Sequence, residues 1–391
     1  VISAALLARV ACPVCLRAEG CAACARAGTG HAGCAEYARR VRCACGGPDK
    51  VALRAQADAL LCPCCGAAYP LHAAEGYLDL LPRAAVGQTT QYADHEFHER
   101  LGVTEAPPVL SARVKADMML RMLAPGPGDA VLDLGCGAGK LAVYAGREGS
   151  PTAGLDAAPF FLPRAAAVVD LVLGDLRRLP FRKGAYAHAY SLDVLEHLDE
   201  AGLRDVLVEA RRVVGAGGRL FVYTHAMESS RLAAFQRAVN RLARRLGRAG
   251  LIDQEREAMR KSDHRNAIRS HEHFEGLCAE AGLEVAERRY YNVVVKAVVE
   301  DLGLRLFEEA RRRTAARRKT NGLVHERVDG HAHGDEHGHG HGHGHGHGGG
   351  AAPGRLLLGV ANALTWLLKL DVVLFGGVRT GPFFGLLRPR P

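Results

Sequence analysis

The stretch Val131-Leu132-Asp133-Leu134-Gly135-Cys136-Gly137-Ala138-Gly139-Lys140 limits the possible folds more than any other part of the chain. Apolar residues flank an acid, and glycine then falls at every second position. That is how a buried parallel strand ends in a tight turn feeding a helix. Only glycine lets the backbone lie that close to a ligand. A phosphate-binding Walker loop is disfavoured because Leu141 stands where the magnesium-holding hydroxyl belongs. A dinucleotide fingerprint is disfavoured too, since its third glycine should come three residues after the second and here comes two after.

Further apolar runs follow, each ending at a polar residue: Gly154-Leu155-Asp156, Val168 to Gly174-Asp175, and Ala189-Tyr190-Ser191. Gly217-Gly218-Arg219-Leu220-Phe221-Val222-Tyr223 supplies one more strand after a helix. Strands alternating with helical segments predict an α/β fold with a parallel sheet, in which ligands bind outside the carboxyl ends of the strands. Asp133, Asp156, Asp175 and Ser191 all fall at such ends. Taken singly, each acid reads as a helix cap or a turn residue. Together they predict one crevice.

These motifs, in this order, resemble those of the class I S-adenosylmethionine (SAM) dependent methyltransferases. The resemblance implies a Rossmann-like, seven-stranded sheet with helices on both faces. It places the turn of Gly135, Gly137 and Gly139 against the methionine half of SAM, with Asp133 near its ammonium group. Asp156 then takes the ribose hydroxyls, Asp175 and Leu176 border the adenine, and Ser191 stands at the fourth strand. Ser191-Leu192-Asp193-Val194 lacks the Pro-Pro-aromatic motif of many base-amino methyltransferases. Leu195-Glu196-His197 is similar to the fourth motif of small-molecule enzymes, so the expected partner is a small-molecule acceptor. Asp193, Glu196 and His197 have the spacing to share one helical face, where some relatives bind a divalent ion. The preferred expectation is that Glu196 and His197 simply open the next helix.

Ten of the chain's twelve cysteines lie between Cys12 and Cys65. Cys12-Pro13-Val14-Cys15 and Cys62-Pro63-Cys64-Cys65 are two knuckles suited to one tetrahedral zinc on Cys12, Cys15, Cys62 and Cys65. With the residues up to Pro82 they resemble a zinc ribbon associated with methyltransferases. A second zinc on Cys21, Cys24, Cys43 and Cys45, with Cys34 or His31 as substitute ligand, is the expectation for the surplus. Either zinc is structural, since four protein ligands leave no open position.

The expected organisation is a zinc-ribbon domain over 1–82, a linker and first helices over 83–130, a catalytic core with a lid insertion over 131–330, a disordered His/Gly-rich insertion over 331–350, and a closing helix and strand over 351–391. Ser111 to Leu123 reads as an amphipathic helix, and Tyr92 to Arg100 as a charged one bearing His95 and His98. Arg231 to Arg248 places apolar residues on one face and arginines mostly on the other. His264 and His197 are the candidate catalytic bases. Leu356 to Phe375 is the longest apolar stretch, but Lys369 and Asp371 interrupt it. It reads as a buried helix rather than an integral membrane span, with peripheral membrane contact through Trp366 left open.

A formal net charge of +9 permits an RNA or lipid partner without requiring one. No secretory segment is read at the start, and cysteines spaced for metal rather than disulfides suit a cytoplasmic protein. Two alternatives to the small-molecule reading are a ribosomal or transfer RNA base methyltransferase and a catalytically silent scaffold. The oligomeric state is not written in the sequence.

Overall fold

The structure is a computed structural model that describes residues 2–16, 50–56, 58–81, 105–146, 152–252, 264–307, 309–310, 313–314 and 355–390. The N-terminal part holds helix α1 (Ala4–Arg9), capped by the Ser3 hydroxyl, and strands β1 (Ala11–Leu16), β2 (Lys50–Ala52), β3 (Arg54–Gln56), β4 (Ala59–Leu61), β5 (Ala68–His72) and β6 (Tyr77–Asp79). Helix α2 (Leu110–Leu123) follows, within one residue of the expected start, and buries Val114, Met119, Met122 and Leu123.

Next come β7 (Val131–Leu134), α3 (Lys140–Gly146), β8 (Thr152–Asp156), α4 (Pro163–Val168), β9 (Asp170–Leu173) and β10 (His188–Leu192). Helix α5 (Glu200–Val214) begins at Asp199, whose carboxylate accepts the Gly202 N–H, and leads to β11 (Arg219–His225). The remaining elements are α6 (Ala233–Arg248), α7 (His271–Glu280), β12 (Leu283–Tyr290), α8 (Val294–Val298), which runs into a π-helical stretch over Val299–Leu304, α9 (Arg355–Phe375) and β13 (Pro382–Pro389). Ser270 caps α7 as a helix-start residue should, accepting the His273 N–H.

The main sheet has the order β12-β13-β11-β10-β7-β8-β9-β6-β5-β4-β3. From β11 to β6 every pairing is parallel, whereas β13 runs antiparallel between β11 and β12. Side chains alternate between the two faces, as a pleated sheet requires. Ala189, Leu220, Val222, Phe383 and Leu387 enter one core with α5 and α7, while Tyr190, Phe221, Tyr223, Phe384 and Leu386 enter another with α2 and Leu368 of α9. Helices therefore cover both faces.

Three expectations change. Eleven strands, not seven, form this sheet among the described residues. The strands from β12 to β9 lead in that order to β6, β5, β4 and β3, which extend the edge at β9. The N-terminal segment is thus not a separate layer: Tyr77, Leu78 and Asp79 pair with Leu171, Val172 and Leu173, and Leu6, Val10 and Cys12 are buried in the larger core. The physical reason is that β9 would otherwise leave an open parallel edge. Finally, α9 is buried along one side only, through Thr365, Leu368 and Asp371, and exposes the other. Among the described residues no helix is long and apolar enough to cross a membrane. The histidine run and the segment bearing His95 and His98 lie outside the described residues.

Candidate active site

The strand order reverses direction between β7 and β10, which opens a crevice at their carboxyl ends. The glycine turn lies there. The backbone N–H groups of Gly135 and Cys136 both donate to the Leu155 carbonyl, at 2.8 and 3.0 Å, which draws the turn onto the end of β8. Gly135, Gly137 and Gly139 have φ of +81°, +52° and +80°, in the left-handed region that favours glycine. Their surroundings differ. A Cβ on Gly135 would meet Val194 at 2.5 Å and one on Gly139 would meet Ala165 at 2.7 Å, but one on Gly137 would meet nothing within 4 Å. Two of the glycines are required by packing, and the third faces open space.

Asp133 is buried, and its carboxyl has one donor among the described residues, the Tyr190 hydroxyl at 2.9 Å. Burial pushes this carboxyl up to about 8, the nearby Asp156 adds to the rise, and the Tyr190 bond opposes it. No cation of the chain neutralises it among the described residues, so the site suits a ligand that brings its own positive charge. Asp156, one strand along, accepts the Gly137 N–H at 2.7 Å and the Ala158 N–H at 3.0 Å.

The other two predicted strand-end residues have additional structural work. Asp175 accepts the Arg177 N–H at 2.9 Å and grips its guanidinium at 2.9 Å, capping the turn Leu176–Arg178. The Ser191 hydroxyl is buried and donates to the Leu134 carbonyl at 3.1 Å, tying β10 to β7. Both stand at strand ends as expected, with their polar atoms already bonded within the chain.

Beyond β10 Glu196 and His197 do not open the next helix, contrary to the preferred expectation, and the alternative of one helical face shared with Asp193 does not form either. Asp193 takes φ +57° and turns to Lys115, whose ammonium is 2.5 Å away and also lies over the Tyr223 ring. Leu195–His197 is a short 3-10 turn, and α5 starts only at Glu200. The buried Glu196 carboxylate accepts the Thr224 hydroxyl at 3.0 Å and faces His225 Nδ1 at 3.5 Å. Burial alone would raise its pKa, but the His225 interaction wins and holds it below the usual carboxylate range.

His264 joins this group from a distant part of the chain. The Arg265 and Asn266 N–H groups donate to the Glu196 carbonyl, at 2.9 and 3.2 Å, and so hook this segment onto the 3-10 turn. The His197 and His264 rings meet edge to face with centroids 4.8 Å apart, and His225 is 6.5 Å from His264. Sequence reasoning found His197 and His264 separately but missed their convergence with His225 on Glu196, for which no local spacing gives a signal. One atom each of Glu196, His197 and His264 lie within 4.8 Å of one another, close enough to share a metal ion.

At the N-terminal edge Cys12, Cys62 and Cys65 also converge, with Cys12 Sγ 4.0 Å from Cys65 Sγ. The side chain of Cys15 and all of Cys21, Cys24, Cys34, Cys43, Cys45 and His31 lie outside the described residues. A depression lined by Glu105, Lys140, Tyr144 and Arg164 is bordered by none of the strand-end residues.

Comparison with known proteins now bears on this crevice. Residues 132–222 match the family model of the methyltransferase domain. The match runs from β7 to β11 and contains the glycine turn, all four strand-end residues and the Glu196 turn. An uncharacterized methyltransferase of Synechocystis is 36% identical over 102 residues, 25% of this chain and 48% of that protein. An uncharacterized 37.1 kDa protein in a Streptomyces fradiae transposon is 32% identical over 146 residues, 35% of this chain and 39% of its own length. The chain thus spans less than half of these curated relatives. Among solved structures, phosphoethanolamine N-methyltransferase 2 of Haemonchus contortus in complex with S-adenosyl-L-methionine is 15% identical. That alignment covers 77% of this chain and 58% of the other, with a TM-score of 0.41.

Proposed function

We propose that this protein is a SAM-dependent methyltransferase acting on a small-molecule acceptor. The observation that carries this reading is the open space on Gly137, bordered by buried Asp133 and by Asp156 and followed along the sheet by the histidine group of the next strand end. SAM supplies a methyl group bonded to a positively charged sulfur. The bare Gly137 backbone leaves room for the cofactor's amino-acid chain, and ionised Asp133 pairs with its ammonium group. Asp156 takes the ribose hydroxyls while holding the turn through Gly137. Asp175 and Leu176 border the adenine, and Ser191 keeps the end of β10 in register with β7.

The acceptor lies against His197 and His264. Bound SAM would supply the methyl group to the acceptor's lone pair, and an imidazole nitrogen of His264, with His197 as the alternative, would take the acceptor's proton. The Glu196 anion stabilises the imidazolium that forms. This role is favoured over a metal on the same atoms because Glu196 already serves Thr224 and His225. Alignment of acceptor and methyl group supplies most of the remaining rate.

The thiolates of Cys12, Cys15, Cys62 and Cys65 hold one structural zinc that pins the sheet extension. The convergence of three of them supports this. A second zinc on Cys21, Cys24, Cys43 and Cys45 remains part of the proposal. Calorimetric titration of the full chain with S-adenosylhomocysteine tests the cofactor, and an absence of binding heat removes the assignment. A metabolite screen with methyl-labelled SAM tests the acceptor class, and transfer to RNA alone would replace the small-molecule reading.

A further inference from the structure

Helix α9 is inverted. Buried Asp371 accepts the Val295 and Lys296 N–H groups at 2.8 and 3.0 Å and so caps α8, while half-buried Lys369 pairs with Asp117 at 2.8 Å and lies over the Trp366 ring. Its outer face carries Gly359, Val360, Asn362, Ala363, Trp366, Leu367, Leu370, Val373, Leu374 and Gly377, with no charge among them. Trp366, Val373 and Leu374 are 70%, 74% and 63% exposed. Such a continuous apolar stripe on a surface helix marks an interaction site, since isolated exposed apolar residues are common but contiguous ones are not.

Exposed apolar side chains are concentrated in one part of the chain. Except for Val168, every large apolar side chain exposed among the described residues lies at or beyond Met227, in α6, α8, α9 or their flanks. Both α6 and α9 pack against α8. Helix α6 contains no acid and exposes Arg237, Arg241, Arg244, Arg245 and Arg248, none with a carboxylate partner among the described residues. Exposed Phe235 and Leu242 belong to the same helix. A basic amphipathic helix that shares α8 as a neighbour with an apolar stripe bearing a tryptophan matches the chemistry of an anionic bilayer surface: arginines meet phosphates and the tryptophan sits at headgroup depth.

We infer that α9 and α6 together dock this protein onto anionic phospholipid membranes, lying on the surface without crossing it. The apolar stripe enters the headgroup boundary, and the α6 arginines select lipid charge. The inference is independent of the methyl-transfer reading, since it uses no crevice residue. Trp366 is the chain's only tryptophan, so it reports the contact directly.

The test is flotation of the full-length protein with phosphatidylcholine vesicles and with phosphatidylcholine/phosphatidylglycerol vesicles, read together with tryptophan emission. Binding to the anionic vesicles with a blue shift of Trp366 emission is expected, together with release by high salt. The triple variant Arg241→Gln, Arg244→Gln, Arg245→Gln should weaken vesicle binding by about a hundredfold, from about 1 kcal/mol for each cation at the surface. Val373→Ser with Leu374→Ser should abolish the blue shift while S-adenosylhomocysteine binding and the thermal midpoint stay unchanged. Equal binding to neutral vesicles, insensitivity to the arginine changes, or light scattering showing a dimer that dissociates in the Val373/Leu374 variant would each overturn it. Retention by RNA with no vesicle binding would overturn it as well.

Discussion

The Asp156 carboxylate accepts the backbone N–H of Gly137 at 2.7 Å, joining the ends of two adjacent strands through the one glycine of the turn that faces open space. Substitutions in this turn should therefore separate cofactor binding from folding. The Cβ of Gly137→Ala meets no atom within 4 Å and carries mainly the cost of a side chain at positive φ, about 1–2 kcal/mol, yet it reaches into the hollow. S-adenosylhomocysteine binding should be lost in a protein that still melts cooperatively. Gly135→Val collides with Val194 and should lower stability by a further 1–3 kcal/mol or so. Calorimetry and thermal melts on the two variants check this, and equal loss of stability in both would contradict it.

Asp133 predicts a pH dependence. Its carboxyl, pushed up to about 8, is largely protonated at neutral pH in the free protein, whereas pairing with an ammonium group needs the anion. Cofactor affinity should rise from pH 6 towards 8, by at most about tenfold per unit, with proton release on binding. Because the folded value lies above the unfolded one, stability from this group is complete below the ordinary carboxylate range and is lost as pH rises through about 8. Asp133→Asn should remove the affinity slope and flatten the decline in stability. Titrations in buffers of different ionisation enthalpy measure the proton release.

At the next strand end, Glu196 has the opposite sign. Its folded pKa is depressed, so its stabilisation is present above the unfolded carboxylate range and lost as pH falls through the folded value. Glu196→Gln keeps a partner for Thr224 but loses the charge facing His225, and should cost about 1–3 kcal/mol. His264→Gln should leave S-adenosylhomocysteine binding intact and lower turnover about 10²–10⁴-fold with a hydroxyl acceptor, the usual range for a general base. Unchanged turnover in His264→Gln and His197→Gln would remove both histidines from the chemistry.

Zinc removal should reach the main sheet. Cys12 is buried in the same core as Leu78 of β6 and Val172 of β9, so loss of the metal should loosen that edge as well as the cysteine region. Chelation, or Cys62→Ser, is expected to release one zinc per chain from this site and lower the thermal midpoint by several degrees. Amide exchange along β9 should then accelerate. Metal analysis finding no zinc in the native protein would dismiss the site.

The sequence by itself determined the strands from β7 to β11, their glycine turn and the acids at their ends, because backbone constraints and side-chain alternation are local and leave a periodic record. It also located the helix from Ser111 to Leu123 and a closing helix and strand within residues 351–391. Tertiary structure decided the rest. Whether Gly137 or Gly135 faces a hollow depends on Val194, nearly sixty residues away, and the distance from Glu196 to His264 depends on backbone bonds that no spacing rule encodes. The apolar run of α9 read as buried because it is apolar. Only the packed fold, by burying Asp371 at the start of α8 and pairing Lys369 with Asp117, turned the Trp366, Val373 and Leu374 side to the outside. Periodicity reveals that a helix has two faces, but which face meets the core is set by partners that come from elsewhere in the chain.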